Sequence, residues 1–599
     1  MATETKIQQL VHKLEEGGWV KRVKFAVILS AIGFNIYLWF FSNAGFRGLS
    51  HEKGIEQAQI AREIARGHGF TTKMIRPAAL WLFEKNMGKF PVDRQPDIYH
   101  APLNPYLNAG AILIADAVND LFQSAGRKRE WISWLTYERT MSVKTFVYAY
   151  DRIIASVQVL FFLLAVLISY FTARRLFDER LAAFAACMML VCQRFWEYAM
   201  CGLPQMLMLL LFSAAAYALV RAIEAKYLNK SPLAWLSAAA ALFGLLALTH
   251  GLTIWMFGGT LIFIAFAFRP LGRDAAIMAA IFMVIYAPWM VRNQLVCGTP
   301  VGLGWYSGLH QLRGTESELM RSLDVSLTGL SPITFRNKVQ AQTVEQVFAL
   351  MNLLGGSIMA LIFFVTLLHL FKRPETAIFR WALLAMWLGA VLGMSVFGMP
   401  EEGSLRANDL HVLFIPLMIC YGLAFVLVMW SRLEIHIRLV RLGFLGLLFF
   451  VSSLPFIEST IQMLAGPRMA VQWPPYVAPY IAVMGTWTTE KEIIASDMPW
   501  AVAWYAERNS LWLPETIQDF IDLNDYKKLN GAIVGLYLTP VSGNRGYLEI
   551  LNGEYKPWAP FITRNVSTRD FPLKVSTVLP VSDMCIFYSD RDRWTVRED

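Results

Sequence analysis

The chain has 599 residues, of which 56% are hydrophobic, 14% aromatic and only 17% charged, with a mean hydropathy of +0.42. These values describe an α-helical polytopic membrane protein and exclude an ordinary soluble enzyme. The net charge of +9 does not mark a nucleic-acid binder, because Lys and Arg gather in short loops between apolar segments, where the positive-inside rule accounts for them.

In chain order, Lys6, Lys13, Lys21, Arg22 and Lys24 precede an apolar run from Phe25 to Phe41 with no small-residue cleavage site after it. This predicts a retained first span with a cytoplasmic N-terminus. Residues 42–149 then form a long outer loop. Within it, Ile55, Ala58, Ile60, Ala61, Ile64 and Ala65 recur at helical spacing, so an amphipathic helix is expected over Glu52–Arg66, ending at Gly67. Its polar face carries Glu52, Glu56, Gln59 and Glu63. A second apolar run, Leu103 to Phe122, is interrupted by Asn104, Asn108, Asp116 and Asn119, a pattern that predicts a helix lying on the bilayer rather than crossing it.

Further spans are expected near 150–172, 180–200, 204–222, 233–249, 252–268, 275–291, 345–371, 379–398, 411–431 and 438–456, about eleven in all by length and hydropathy. The inner loops of that topology carry Arg174 and Arg175, Arg221 with Lys226 and Lys230, Arg269 and Arg273, Lys372 and Arg373, and Arg432 with Arg438 and Arg441. All are basic, as the topology requires, and a span over 103–122 would turn every one of them outward. The chain thus divides into a membrane module, 1–456, and an extracytoplasmic domain, 457–599. In the latter, strand-like runs (Lys491–Ser496, Asn530–Leu538, Met584–Ser589) alternate with helix-like ones (Pro499–Glu507, Pro514–Leu529), an α/β pattern. Six cysteines include no CxxC pair; Cys201 and Cys297 both fall near the outer face, where a disulfide is compatible.

A transporter is expected to place ionisable residues at mid-membrane. Here they gather at one edge: Glu56, Arg62, Arg66, His68, Lys73, Arg76, Asp97 and His100 from the first loop, and Arg194, Glu197, His250, Arg292, Arg313, Arg336, Glu401, Glu402, Arg406, Asp409 and His411 from outer helix ends. That arrangement predicts an interfacial site for an anionic lipid head group. No ligand spacing such as HxxxH appears, so no metal is assigned, although a divalent ion remains an alternative. Rossmann and P-loop fingerprints are absent, which argues against a nucleotide-sugar donor.

The succession of a first span, an acidic residue on a helix reading AQIAREIARGHGF, and an APLNP segment resembles the integral-membrane glycosyltransferases of the GT-C fold. It is most similar to the bacterial branch related to protein O-mannosyltransferases and aminoarabinose transferases. ARRLFDERLAAFAA, LTHG at 248–251 and YAPWMVRNQLVCGTPVG at 286–302 resemble further signatures of that group. The likeness covers residues 25–300 in order, and the general plan to 456.

The resemblance implies a bacterial inner-membrane enzyme that transfers a sugar, with inversion, from a polyprenyl-phosphate donor to a hydroxyl on a lipid, glycan or protein at the outer face. Such chemistry needs a carboxylate base and cations for the departing phosphate. The resemblance carries the base to Glu56, where the family usually has Asp, with Glu52 as the competitor; either carboxylate could instead simply favour a helix N-terminus. Arg292, Arg406, His100, His250 and His411 are the candidates for donor phosphate, and Asp97, Asp409 and Arg76 for the acceptor or a supporting role. The plainer alternatives are a turn cap for His100, interfacial anchoring beside Trp289 for Arg292, and pairing of Arg406 with a capping Asp409. His250 stands where the family has the Arg of LTRP. A non-catalytic scaffold of the same shape and a lipid or sugar transporter are the competing function classes.

Overall fold

The computed structural model describes residues 28–30, 32–34, 36–37, 46, 48–88, 94–124, 148–325, 330–399, 405–434, 437–464, 478–525, 529, 531–542, 552–565, 571–579 and 585–595. The expected first span falls partly within them, as helical residues between 28 and 37; the basic stretch before it lies outside.

The first outer loop opens with α1 (Glu52–Ala65), whose first turn is capped by His51 Nδ1 accepting the Lys53 N–H at 3.2 Å. After α1 come β1 (Thr71–Thr72), β2 (Met74–Ile75), α2 (Pro77–Met87), β3 (Gln95–Pro96) and α3 (Leu103–Ser124). Pro77 opens α2, where its missing N–H costs nothing, and Gly88 closes it at φ 64°. On α3, Asn104 and Asn108 are buried while Leu113, Ile114 and Leu121 are exposed. That amphipathic division suits a helix on the bilayer surface.

The bundle follows as α4 (Ala149–Leu176), α5 (Glu179–Leu190), α6 (Gln193–Met200), α7 (Gln205–Tyr227), α8 (Leu233–Ala247), α9 (Thr253–Ala267) and α10 (Arg273–Cys297). Then come α11 (Glu316–Arg321), α12 (Pro332–Phe348), α13 (Ile358–Thr366), α14 (Pro374–Phe397), α15 (His411–Ser431) and α16 (Arg438–Leu464). Among the described residues, 6 helices are long and apolar enough to cross a membrane: α4, α7, α10, α14, α15 and most of α16. α8 and α9 are apolar but shorter.

Two expected spans are broken. Residues 180–200 form α5 and α6, with Cys192 extended between them. Residues 345–371 are divided among the end of α12, a single turn at Leu350–Leu353, and α13. There Gly355 and Gly356 both take positive φ (66° and 70°), a conformation that ends a helix at little steric cost. The bundle closes where small residues let backbones meet: a Cβ on Gly259 would lie 2.2 Å from the Ala385 carbonyl oxygen, and one on Gly389 2.3 Å from that of Trp255.

After α16 the chain forms α17 (Ala478–Trp487), β4 (Ile493–Ser496), β5 (Asn509–Trp512), α18 (Ile517–Asp525), β6 (Ile533–Leu538), β7 (Val575–Val578) and β8 (Ile586–Ser589). The sheet order is β2-β5-β4-β6-β8-β7, with the first four strands parallel and β8 antiparallel to both of its neighbours. β4 and β6 are buried at every position, as interior parallel strands are. The boundary expected at 456 falls within α16, and the edge strand β2 comes from the first outer loop, so that loop and the C-terminal region share one sheet. All six cysteines are free: Cys201 Sγ lies 3.2 Å from Tyr198 O and Cys297 Sγ 3.2 Å from Asn293 O, in place of a disulfide.

Gly54 lets α1 lie directly on the turn after α6: a Cβ there would sit 2.6 Å from Cys201 O and 2.7 Å from Gly202 C. Both obstacles are backbone, so Gly54→Ala is expected to destabilise the protein by about 1–3 kcal/mol. Gly110→Ala on α3, with nothing within 4 Å of a new Cβ, should stabilise by about 0.5–1 kcal/mol. Thermal unfolding of the two detergent-solubilised variants against the parent checks the contrast.

Candidate functional site

α1 brings Lys53, Glu56 and Gln57 to the junction between bundle and loop, and the 97–100 turn brings Asp97, Tyr99 and His100 to meet them. Arg76, at the head of α2, completes the group. Glu56, Arg76, Asp97 and His100 are all buried, between 2% and 7% exposed. Arg76 Nη2 donates a short hydrogen bond to Glu56 Oε2, and its Nη1 lies 3.6 Å from Asp97 Oδ1. His100 Nε2 lies 2.6 Å from the same Glu56 oxygen. Asp97 Oδ2 accepts the backbone N–H groups of Tyr99 at 3.2 Å and His100 at 2.7 Å, which sets the turn.

Burial alone drives the Glu56 carboxyl upward, but the Arg76 guanidinium, the His100 hydrogen bond and Lys53 outweigh it and hold the group at about 2. Glu56 is therefore a permanent carboxylate. Beside it, Lys53 Nζ donates to Glu316 Oε1 at 2.8 Å, and Tyr99 OH donates to the same oxygen. Burial pushes the Glu316 carboxyl up, yet Lys53 and these two hydrogen bonds bring it below its usual value.

Two hollows meet here. The larger, about 310 Å³, is lined on its polar side by Lys53, Gln57, His100, His250, Asn293 and Asn408. Trp255, Tyr286, Trp289, Trp305 and Phe397 contribute aromatic rings to the same lining. Among the described residues, no Asp or Glu lines it. The smaller, about 20 Å³, holds Glu52, Glu56, Arg76 and Glu316, and shares Lys53 and Tyr99 with the larger. It has room for a water but not for a sugar. His250 sits in the α8–α9 turn; burial, then the charges of Lys53 and His100, lower it to about 4, so it is neutral at physiological pH.

The expected site residues therefore separate. Glu56, Arg76, Asp97 and His100 form one network, and His100 and His250 line the large cavity, while Glu52, half-buried, borders only the small one. Arg292 is not on either wall: its guanidinium donates to Asp97 O at 2.7 Å and Phe70 O at 3.3 Å and lies over the Trp289 ring, so it pins the 97–100 turn. Arg406 pairs with Glu345 at 3.3 Å. Asp409 accepts the N–H of His411 at 2.9 Å and the Tyr198 hydroxyl at 3.1 Å, the capping alternative. His411 is fully buried between Trp387 Nε1 and Gln346 Oε1, away from the cavity, because α12 and α14 close over it. Lys53 and Glu316 were not singled out from sequence; they are 263 residues apart and no spacing joins them.

Arg76 occupies the place between Glu56 and Asp97 where a cation would bind, and among the described residues no group of three or more His, Cys, Asp or Glu is arranged to hold a metal.

The profile of the dolichyl-phosphate-mannose-protein mannosyltransferase family matches residues 143–291, from just before α4 into α10. No curated protein matches the chain. Among solved structures, it is similar to ArnT from Cupriavidus metallidurans bound to undecaprenyl phosphate, with a TM-score of 0.54 and 13% identity over 96% of this chain and 98% of that one. It is also similar to the Archaeoglobus fulgidus oligosaccharyltransferase in complex with Zn and sulfate (TM-score 0.53, 13% identity, 90% and 71% covered).

The charge balance is open to a direct check. Because the folded-state value of Glu56 is depressed from 4.5 to about 2, its stabilising effect is complete above about pH 5 and is lost as pH falls from there toward 2. That effect is on the order of 3 kcal/mol, so unfolding of the wild type should become easier across this window and that of Glu56→Gln much less so. Arg76→Met, which strands a buried carboxylate, should cost about 3–5 kcal/mol at pH 7; chemical denaturation in detergent measures both. The chain has the GT-C fold over nearly its whole length, and residues 143–291 match the profile of the dolichyl-phosphate-mannose-protein mannosyltransferase family.

Proposed function

We propose that the protein is a glycosyltransferase that moves a sugar from a polyprenyl-phosphate donor to an acceptor hydroxyl at the outer face of a bacterial inner membrane, with inversion at the anomeric carbon. The N-terminus is then cytoplasmic and the C-terminal sheet extracytoplasmic. The observation that carries this reading is the large cavity where bundle and first loop meet, whose lining combines Lys53, amide side chains and two histidines with several aromatic rings. A phosphate takes hydrogen bonds from Lys53 and the amides, and an isoprenoid or sugar ring packs against the indoles. ArnT was solved with undecaprenyl phosphate and the archaeal enzyme AglB with dolichol-phosphate and an inhibitory peptide, which supports a lipid-linked donor for this fold.

Lys53 gives one of its three N–H donors to Glu316 and lines the cavity with the rest of its head. Two donors remain for phosphate oxygens, and the ion pair with Glu316 holds the ammonium in place while limiting its net charge. The departing lipid phosphate is stabilised there as the C1–O bond breaks. Glu56 is the carboxylate on which removal of the acceptor proton depends. The scaffold alternative draws on one observation, the engagement of Glu56 Oε2 by Arg76 and His100 beside the small hollow and not the large cavity.

In purified protein, mass spectrometry of retained lipids should find a polyprenyl phosphate or its glycoside. Lys53→Ala should weaken binding of undecaprenyl phosphate about 10- to 100-fold, the loss of one hydrogen bond to a charged group. Glu56→Gln should abolish sugar transfer without preventing folding. Unchanged lipid binding in Lys53→Ala removes the phosphate assignment, and a wild type that consumes no polyprenyl-phosphate sugar favours the scaffold.

A further inference from the structure

We infer that the group in contact with the acceptor hydroxyl is His100, and that Glu56 acts on the reaction through His100 rather than by touching substrate. This rests on the transferase reading above. Its starting point is a mismatch. Of the carboxylates at the site among the described residues, Glu52, Glu56 and Glu316 line the small crevice, Asp97 holds the 97–100 turn, and none lines the cavity large enough for a sugar. Glu56 also spends one oxygen on both Arg76 and His100. A carboxylate held at about 2 is a poor proton acceptor near neutral pH, because base strength follows the affinity for the proton.

His100 has what Glu56 lacks. It lines the large cavity, and its Nε2 is tied to Glu56 at 2.6 Å. With Nε2–H donating to a carboxylate, the tautomer is set and Nδ1 carries the lone pair. Nδ1 makes no hydrogen bond among the described residues. The imidazolium formed on taking a proton is stabilised by the Glu56 charge, while Arg76 prevents that charge from being quenched by protonation. A buried carboxylate orienting and supporting a histidine base is a general solution to proton removal near pH 7. The backbone N–H of His100 on Asp97 and the edge-on contact of its ring with Tyr99, centroids 4.9 Å apart, fix the ring's place.

The step balances without a further reactant. The acceptor O–H proton passes to His100 Nδ1. The acceptor oxygen forms the new bond to C1 of the sugar, and the C1–O bond to phosphate breaks with its electron pair leaving on the polyprenyl phosphate beside Lys53. The proton on His100 then returns to solvent through the cavity. His100 is faced by Glu56 and Lys53 of α1, Arg76 at the head of α2, Asp97 and Tyr99 of its own turn, and His250 from the α8–α9 turn. Of these, His250 is lowered to about 4 and is a weak base at the working pH, and Arg76 keeps its proton throughout.

The test uses full-length protein in nanodiscs, synthetic short-chain polyprenyl-phosphate hexose and pentose as donors, a bacterial membrane-lipid extract as acceptor pool, and release of polyprenyl phosphate as readout. His100→Gln is expected to lower turnover by at least about 100-fold, with the donor KM within about threefold of wild type. The rise of rate with pH between about 5 and 8 should flatten in that variant. His100→Gly should regain activity with added imidazole. Proton NMR of the wild type should show a strongly downfield imidazole N–H that is lost in both Glu56→Gln and His100→Gln, which reports the dyad independently of turnover. Wild-type turnover in His100→Gln, or a variant whose donor KM rises while turnover holds, overturns the assignment and returns His100 to phosphate binding. A wild type inactive with every donor overturns the transferase reading itself, and the assignment with it.

Discussion

A carboxylate taken out of water must find a cation or give up its charge. At the centre of this protein Glu56 meets that demand with Arg76, and the pair dictates much of what surrounds it. Arg76 stands at the start of α2, twenty residues along the chain from Glu56, so α1 and α2 must be held at a fixed separation. Three sets of contacts do this. Arg62, fully buried on α1, donates to Trp504 O and Ala503 O at 2.6 and 2.8 Å. β2, immediately before Arg76, is zipped onto β5. Arg292 reaches from α10 to the carbonyl of Asp97. In this arrangement the C-terminal sheet holds the first loop in place through β2. Asp151 adds a tie from the bundle, accepting hydrogen bonds from Trp504 Nε1 and Tyr505 OH at 2.8 Å each.

The same economy separates charges across the site. On the proposed function the donor is anionic, and a carboxylate on the wall of its cavity would repel the phosphate at the moment its charge increases. The acidic side chains lie one layer back, each already engaged by a cation: Glu56 by Arg76, Glu316 by Lys53. What faces the cavity is a cation, two histidines, amides and indoles. Positive potential is thus presented to the ligand while the negative charge needed for proton removal is kept within one hydrogen bond of it.

Much of this was legible in the residues. The apolar periodicity of Ile55 to Ala65 defined α1 to within a residue, but residues 54–63 are buried all round, so the expected polar face with Glu56, Gln59 and Glu63 meets protein and not solvent. The strand-like runs 491–496, 530–538 and 584–589 contain β4, β6 and β8, short runs buried at every position. The breaks in 180–200 and 345–371 were hidden because hydropathy measures apolar content and not backbone continuity; the Gly355-Gly356 pair was the available sign. β2 could not be read, since two residues have no periodicity and gain their structure from β5, more than four hundred positions away. At the site, residue type identified Glu56, Arg76, Asp97 and His100 as a group, but which of the outer cations joined them depended on tertiary packing. Arg406 and His411 sit at the right end of the right helices and are drawn off by Glu345, Trp387 and Gln346.

A motif carries a residue type to a position but says nothing of what the side chain meets there. Glu56 lies on the helix where the resemblance puts an acid, and its Oε2 is shared by Arg76 and His100. In a low-dielectric setting each such partner lowers proton affinity further, so the contacts that make Glu56 tolerable in the interior also make it a weak proton acceptor at neutral pH. Its influence has to travel through whichever partner also borders the cavity. Arg76 keeps its proton throughout, which leaves the imidazole of His100 as the element that links the buried charge to the ligand.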